Sequence, residues 1–541
     1  MFNDHFKIFI KRAQSLKFYF INNIHINKYD KHYIRTNKIK WTTSRNLKKD
    51  REKKILVDLF DWKPFIHFWS YLTNLLSIFY KAEIKFFYFN HHDTFFSRTR
   101  LFTYKLEKIY NSFNASKGIY NYSFKYNKYE KLKFEKQFNK FAKSKKKLLS
   151  YKKNNVLIGD LIYDSYLKEY SKPTLDLNDE KLKTIFFKAE KIYQDSKLFF
   201  LRYDVKCVIP SHVCYISYGI IARLALNKKI PVITIRAENR GNSTFKFLKM
   251  DNNCVNEVPY YNFKKTFLSF SKLQKRQGIS IGKKLFKLRV SGKFDKNIPY
   301  MSTNPFNRKL KITNKIKKNI SKKNKIIIFP HCYLDNPHRY RKMIFDDFYD
   351  QVNYFLELSK TMDNYEWYYK PHPNELDGNL NIHRDILKKF KNVKYLKKNT
   401  GHIDITKLNP KCVITNHGTI AHEYAMFKIP VINTGDNPHI NYNFCLHVKS
   451  KKELNKVMNN LDHYIKKIDF NKQEIYEYLF MKYKYFPYKN NEDIYLKNDN
   501  FNFKNVKKNN TSLILKKFSK QSGNVDINIK NYINEFIRNH L

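Results

Sequence analysis

Five hundred and forty-one residues exceed what one core usually holds, so two domains are expected, and a hydrophobic share of 42% is enough to build them. Twelve Gly, 15 Pro and six Cys exclude a collagen-like, fibrous or disulfide-framework protein. The formal net charge of +58 suits a nucleic-acid or anionic-membrane partner; but Lys, Asn, Ile, Phe and Tyr are abundant together, and a bias toward A/T-rich codons accounts for most of the excess.

Residues 1–52 carry 13 Lys/Arg against four Asp/Glu and read as a basic extension. Their first twenty contain neither an uninterrupted apolar core nor a small-residue cleavage site, so no secretory signal is expected. Order begins at Ile55-Leu-Val-Asp-Leu-Phe, a short strand. The uncharged run from Pro64 to Tyr80 is short for a bilayer span. Its polar positions Ser70, Thr73, Asn74 and Ser77 step by three and four onto one face, which predicts a buried or interface-lying helix. Glu83-Ile-Lys-Phe-Phe-Tyr-Phe is a second strand, completing a β-α-β opening. Residues 120–153 suggest a helix with a solvated face. The basic stretch Lys315-Ile-Lys-Lys-Asn-Ile-Ser-Lys-Lys-Asn-Lys precedes a second ordered block. The expected units are therefore 53–315 and 316–490, followed by a basic tail, 491–541, with a terminal helix from Ile527. The six Cys form no C-x-x-C pair, which argues against structural zinc and fits a reducing cytosol.

An internal echo organises both blocks. Cys207-Val-Ile-Pro-Ser-His212 leads into a helical pattern and then Ile230-Pro-Val-Ile. Cys412-Val-Ile-Thr-Asn-His417 leads into another and then Ile429-Pro-Val-Ile. Each is an apolar strand, a polar turn, a helix, a Lys-Ile-Pro corner and a second apolar strand. Strands without polar alternation are covered on both faces, so the echo predicts two Rossmann-like α/β domains in tandem.

Ligands of open parallel sheets sit beyond the carboxyl ends of the strands. In the second block those ends deliver His331, then Lys370 and His372 in a Lys-Pro-His-Pro loop, and then Asn416-His417-Gly418-Thr419 opening a helix that carries Glu423. Nine of the 18 His fall between 331 and 447, which places the polar centre here rather than in the basic arm. Gly418 admits a phosphate to the backbone, Thr419 can cap or donate, and Lys370 and His372 offer a charge and a directional donor. His402 and His422 read as surface or packing residues. In the first block Asp160 and Asp164 lie four apart on one helical face, and either can serve as a base. Ser211, His212 and Tyr215 occupy the turn matching 416–419, while Arg223 reads as packing. No P-loop, dinucleotide fingerprint or H-E-x-x-H pattern is present.

Gly159-Asp-Leu-Ile-Tyr-Asp-Ser-Tyr-Leu, Ser211-His-Val-Cys-Tyr-Ile-Ser-Tyr-Gly, Tyr369-Lys-Pro-His-Pro and Asn416-His-Gly-Thr-Ile-Ala-His-Glu together resemble the capsule-polysaccharide and surface-carbohydrate biosynthesis proteins. Those are GT-B-type glycosyltransferases, similar in pattern to bacterial Kdo transferases and His-Pro-motif sialyltransferases. The resemblance spans residues 54–490. It implies an α/β GT-B-like fold, two Rossmann-like domains facing each other across a cleft, with the first on the acceptor side. It also implies a nucleotide-sugar co-substrate rather than a bound cofactor or metal, and a glycan or glycolipid acceptor. By the same resemblance His372 touches the donor phosphate, the Gly418-Thr419 turn and Glu423 hold the nucleotide, and Asp160, with Asp164 second, is the base. His331 completes the catalytic candidates. A cytoplasmic protein with peripheral contact to anionic membrane is expected, and no nucleic acid. A polyol-phosphate transferase or nucleotide-sugar epimerase shares these features, and a nucleic-acid-binding protein would instead concentrate its charge on one element.

Overall fold

The computed structural model describes residues 24–40, 50–59, 66–88, 104–113, 116–121, 124–237, 243–247, 249–251, 254–256, 262–293, 304–307, 312, 320–339, 342–373, 375–376 and 378–485. The expected tail and its terminal helix lie outside the described residues, as do residues 1–23 of the expected extension.

Two parallel sheets carry the fold. The first contains β1 (Asp50–Asp58), β2 (Ala82–Tyr88), β3 (Ser116–Asn121) and β4 (Asp204–Ile209), in the order β3-β2-β1-β4. A parallel bridge from Val208 to Val232 extends it by one position. The second contains β5 (Asn324–Ile328), β6 (Tyr365–Tyr369), β7 (Val393–Tyr395), β8 (Cys412–Thr415), β9 (Val431–Asn433) and β10 (Leu446–His447), in the order β7-β6-β5-β8-β9-β10. In each sheet the chain starts in the middle, steps outward twice, and returns to the other side of its first strand. This is the doubly wound order, with its ligand crevice where the order reverses, at β1/β4 and β5/β8. The strands form because they are continuous apolar runs that helices cover on both faces: Ile55–Val57, Ile326–Ile328 and Cys412–Ile414 are all buried.

The helices used below are α1 (Lys28–Lys40), α2 (Ile66–Tyr80), α3 (Lys128–Phe141), α4 (Gly159–Glu169), α5 (Glu180–Arg202), α6 (Ile220–Asn227), α7 (Lys272–Val290), α8 (Phe348–Thr361), α9 (Asn379–Leu387), α10 (Ile420–Ala425) and α11 (Lys472–Phe480). The two echoed segments are β4-α6 and β8-α10, each the fourth strand of its sheet. Their corners match bond for bond. Lys229 (φ 60°) and Lys428 (φ 58°) end the helices in the left-handed region. The Ile230 amide donates to Ala225 O (2.8 Å) and the Ile429 amide to Tyr424 O (3.1 Å). The Val208 and Val413 amides then donate to Pro231 O and Pro430 O, both at 2.9 Å.

Two boundaries differ from the sequence reading. The range read as an extension contains α1, which docks on the first unit: Tyr33 Oη lies 2.9 Å from Ser70 Oγ, Asn37 Nδ2 donates to Ser112 Oγ (2.8 Å), and Asp30 pairs with Lys105 (3.0 Å). The polar stripe of α2 is thus buried, and it is bonded to neighbours rather than facing solvent or lipid. The boundary expected at 315 is also displaced. Phe263, Phe267, Leu285 and Phe286 join the core of the second sheet with Ile327, Tyr368 and Val413. Helix α7 lies so close to α11 that a Cβ on Gly282 would stand 1.9 Å from Tyr476 O. Helix α3, with Phe134 its one buried residue, has the expected solvated face.

One buried carboxylate joins the two units. Asp347 caps α8 by accepting from the Asp350 amide (2.7 Å). It also accepts from Tyr163 Oη and Thr174 Oγ1 of the first unit, and Lys145 lies 3.4 Å from it and 2.8 Å from Asp350. Among the described residues, no helix is long and apolar enough to cross a membrane.

Candidate functional site

At the β5/β8 reversal three strand ends converge. β5 runs out into His331, β6 into His372 and β8 into His417. The His331 ring centroid lies 6.3 Å from that of His372 and 6.4 Å from that of His417, and His331 stacks on Phe348 at 4.5 Å. Burial pushes the His417 imidazole down to about 3 and holds His331 below its ordinary value, so both are neutral near pH 7. His417 Nδ1 lies 2.7 Å from the Asp436 carbonyl oxygen, which assigns the proton to Nδ1 and turns Nε2 into the acceptor. The backbone is tight here. A Cβ on Gly418 would stand 2.5 Å from Thr415 Oγ1, and one on Gly435 would stand 2.0 Å from Asn416 Oδ1.

The Lys-Pro-His-Pro loop is held from below. The His372 amide donates to Glu375 Oε1 (2.7 Å), and the same oxygen lies 3.1 Å from His383 Nε2. His383 Nδ1 meets Tyr369 Oη, which lies 2.7 Å from Tyr333 Oη. Asn379 donates to Glu375 and, through its Oδ1, accepts from the Tyr333 amide (3.1 Å). This chain fixes the direction in which His372 leaves β6. Burial disfavours the Glu375 carboxylate, but the bond and charge of His383, with His372 and Asn379, together outweigh that and hold the carboxyl below the ordinary value. Lys370 is 1% exposed, donates to the carbonyls of Pro371 (3.3 Å) and Lys398 (3.1 Å), and is lowered to about 8 by burial.

At the β1/β4 reversal, the Ser211 amide donates to Asp58 Oδ2 at the end of β1 (3.2 Å), and Ser211 Oγ lies 3.0 Å from His212 Nδ1. Tyr215 has φ 63°, a strained conformation for an aromatic residue, and opens the wide turn Tyr215–Gly219 that enters α6. Lys168 stands 4.3 Å over its ring, and the Ile216 amide donates to Ser165 Oγ of α4 (2.9 Å). The Asp335 charge, in the loop after β5, acts to raise both Tyr215 and His331.

Several expected roles are not what the geometry gives. Asp160 is held by Arg223 through two parallel bonds of 2.7 Å, both groups buried. It is a structural ion pair rather than a free base, and Arg223 is its partner rather than packing material. Asp164 faces the seam: Oδ1 lies 2.6 Å from His338 Nδ1, and the His338 amide donates to Oδ2 (3.3 Å). His338 Nε2 lies 2.8 Å from the Asp346 carbonyl, so both ring nitrogens face acceptors, as an imidazolium requires. Burial raises Asp164 to about 6. Burial opposes the His338 charge, yet the Asp164 carboxylate raises it to about 9. Glu423 is fully buried, its Oε1 2.7 Å from Arg289 Nε and its Oε2 3.7 Å from His402 Nδ1; it belongs to an internal charge cluster beneath the turn. Asn416 is also buried, its Nδ2 2.9 Å from Met343 Sδ. His402 and His422 pack as expected, His402 against Phe306, Phe329 and Tyr424. The sequence reading missed Glu375, His383, Asp58 and Asp347, whose roles depend on partners brought from elsewhere in the chain.

No protein-family model and no curated protein matches the chain. Among solved structures it is similar to a Thermosulfurimonas dismutans KpsC, beta Kdo 2,4 transferase, at 12% identity and TM-score 0.32, over 51% of this chain and 79% of that one. It is also similar to a UDP-N-acetylglucosamine 2-epimerase, at 9% identity and TM-score 0.23 over 80% and 94%. A third likeness is to the wall teichoic acid polymerase TagF, at 11% identity and TM-score 0.20 over 95% and 98%. All of these scores lie below 0.5.

Proposed function

We propose that the chain is a GT-B-type glycosyltransferase that moves a sugar from a nucleotide-activated donor to a cell-surface or capsular glycan acceptor. The observation that carries this reading is the meeting of His331, His372 and His417 at the reversal point of the second sheet. The second unit takes the nucleotide, as doubly wound sheets do at that crevice. His372, aimed by Glu375, and the backbone at Gly418-Thr419 meet the leaving phosphate. Such preorganised donors contribute most where charge develops.

Asp160 and Asp164 are both occupied, so the base of this proposal is His331. Its imidazole is neutral, as a base must be before it acts. The acceptor oxygen attacks the anomeric carbon and gives its proton to His331. The bond from that carbon to the donor phosphate breaks, and the nucleotide leaves with the electron pair. Ser211, His212 and Tyr215 line the acceptor side. Asp164–His338 and the Asp347 cluster hold the units together so that water is excluded from the donor.

The test is nucleotide release from a panel of nucleotide sugars by wild type and His331→Ala. The proposal expects one donor to be turned over by the wild type, and the variant to bind the same nucleotide while losing at least 10²-fold in rate, the usual worth of a positioned base. Turnover unchanged in His331→Ala would remove it from the mechanism. Donor epimerisation without transfer would favour the epimerase instead.

A further inference from the structure

We propose that His439, Cys445 and His447 form a metal site of the Zn2+ class at the edge of the second sheet. The three residues lie in the loop between β9 and β10 and at the end of β10. Their ligand atoms all lie within 4.8 Å of one another. Cys445 Sγ is 3.3 Å from His447 Nε2, and the cysteine is a free, buried thiol. Donor atoms of a tetrahedral zinc with bonds of ~2.0–2.3 Å stand roughly 3.3–3.7 Å apart, so the cluster needs little rearrangement to close on an ion.

A second observation points the same way. His439 is 1% exposed, yet neither of its ring nitrogens has a hydrogen-bond partner, and His447 Nδ1 is also buried and unpartnered. A buried imidazole that satisfies neither nitrogen forfeits its hydration without replacement, a cost that native cores rarely carry without a ligand. Two imidazoles and one thiolate are soft and borderline donors. They select zinc-like ions and discriminate against Mg2+ and Ca2+, which take oxygen.

The site would act on the donor crevice through one short path. The loop that carries His439 also carries Asp436, whose carbonyl holds His417 Nδ1. Closing the far end of that loop on an ion braces the partner that sets the His417 tautomer. The metal's role here is structural, separate from the sugar transfer proposed above.

The test uses the full chain, stripped with a chelator and titrated with Co2+ as an optical probe. One equivalent is expected to produce a thiolate-to-cobalt charge-transfer band, and one equivalent of Zn2+ should bleach it while raising the melting temperature. Cys445→Ser is expected to lose the band and Cys214→Ser to keep it. A wild-type chain with no such band overturns the proposal, as does a band that survives in Cys445→Ser. Should Cys445→Ser not fold, His439→Gln decides: a lost or weakened band supports the site, and one of unchanged strength overturns it.

Discussion

Asp160 and Asp164 show what spacing can and cannot tell. Four residues apart on α4, they share a face as expected, but their chemistry is set by partners the spacing does not name. Arg223 reaches Asp160 from α6, and His338 reaches Asp164 from the second unit. A buried carboxylate gripped by two parallel guanidinium bonds is a costly group to strand. Arg223→Leu is therefore expected to lower the unfolding free energy by about 3–5 kcal/mol. The double change Arg223→Leu with Asp160→Leu should recover most of that loss and leave nucleotide affinity unchanged, as urea denaturation and calorimetric titration would show. Loss of transfer in the recovered double variant would restore Asp160 to the reaction. Glu423 teaches the same lesson: its helical position was legible, but Arg289, brought in by α7 from outside the expected unit, was not.

The echoed β4-α6 and β8-α10 segments were legible because everything that makes them is local. A short apolar strand run and a Lys-Ile-Pro corner suffice, and the corners match in hydrogen-bond pattern. Helix α1 was not, since its sequence KYDKHYIRTNKIK has a weak apolar stripe and is held by polar contacts to α2 and the residues after it. The placement of α7 depends on α11, nearly two hundred residues later, and no local pattern announces that. The Lys-Pro-His-Pro loop sits between these cases: its stiffness was readable, and the Glu375–His383–Tyr369–Tyr333 chain beneath it was not. Glu375→Gln keeps the shape but weakens the acceptor of the His372 amide. It is expected to reduce nucleotide affinity about tenfold, or ~1.4 kcal/mol, with little change in melting temperature. An unchanged affinity would mean that the loop needs no such support.

Taken whole, the chain is two units of the same winding joined by a buried, charged seam. Asp164–His338 makes the joint depend on pH. His338 is raised above its ordinary 6.5, so its contribution is fully present below that value and is lost as pH rises through about 9. Asp164 is raised to about 6, so burial is only partly offset and its protonated form is favoured below that pH. Stability should therefore fall on the alkaline side, from near neutrality through about pH 9. His338→Gln should flatten that limb in thermal melts, and a limb of equal steepness in the variant would assign it to other groups. The +58 charge belongs to this level too. Lys and Arg are spread over the whole chain, while the histidines gather where the second sheet's strands end.

That gathering of histidines is the proposed nucleotide site. The direct measurement is a thermal-shift panel of CMP, CDP, UDP, GDP and ADP, with no metal added, on wild type and His372→Ala. A nucleotide at about 100 times its dissociation constant should stabilise by ~2.7 kcal/mol. We expect one of the five to shift the wild type and the shift to vanish in His372→Ala, naming the donor class and the crevice together. Stabilisation by short nucleic acid, with none by any nucleotide, would contradict the account and make the charge the ligand-binding feature instead.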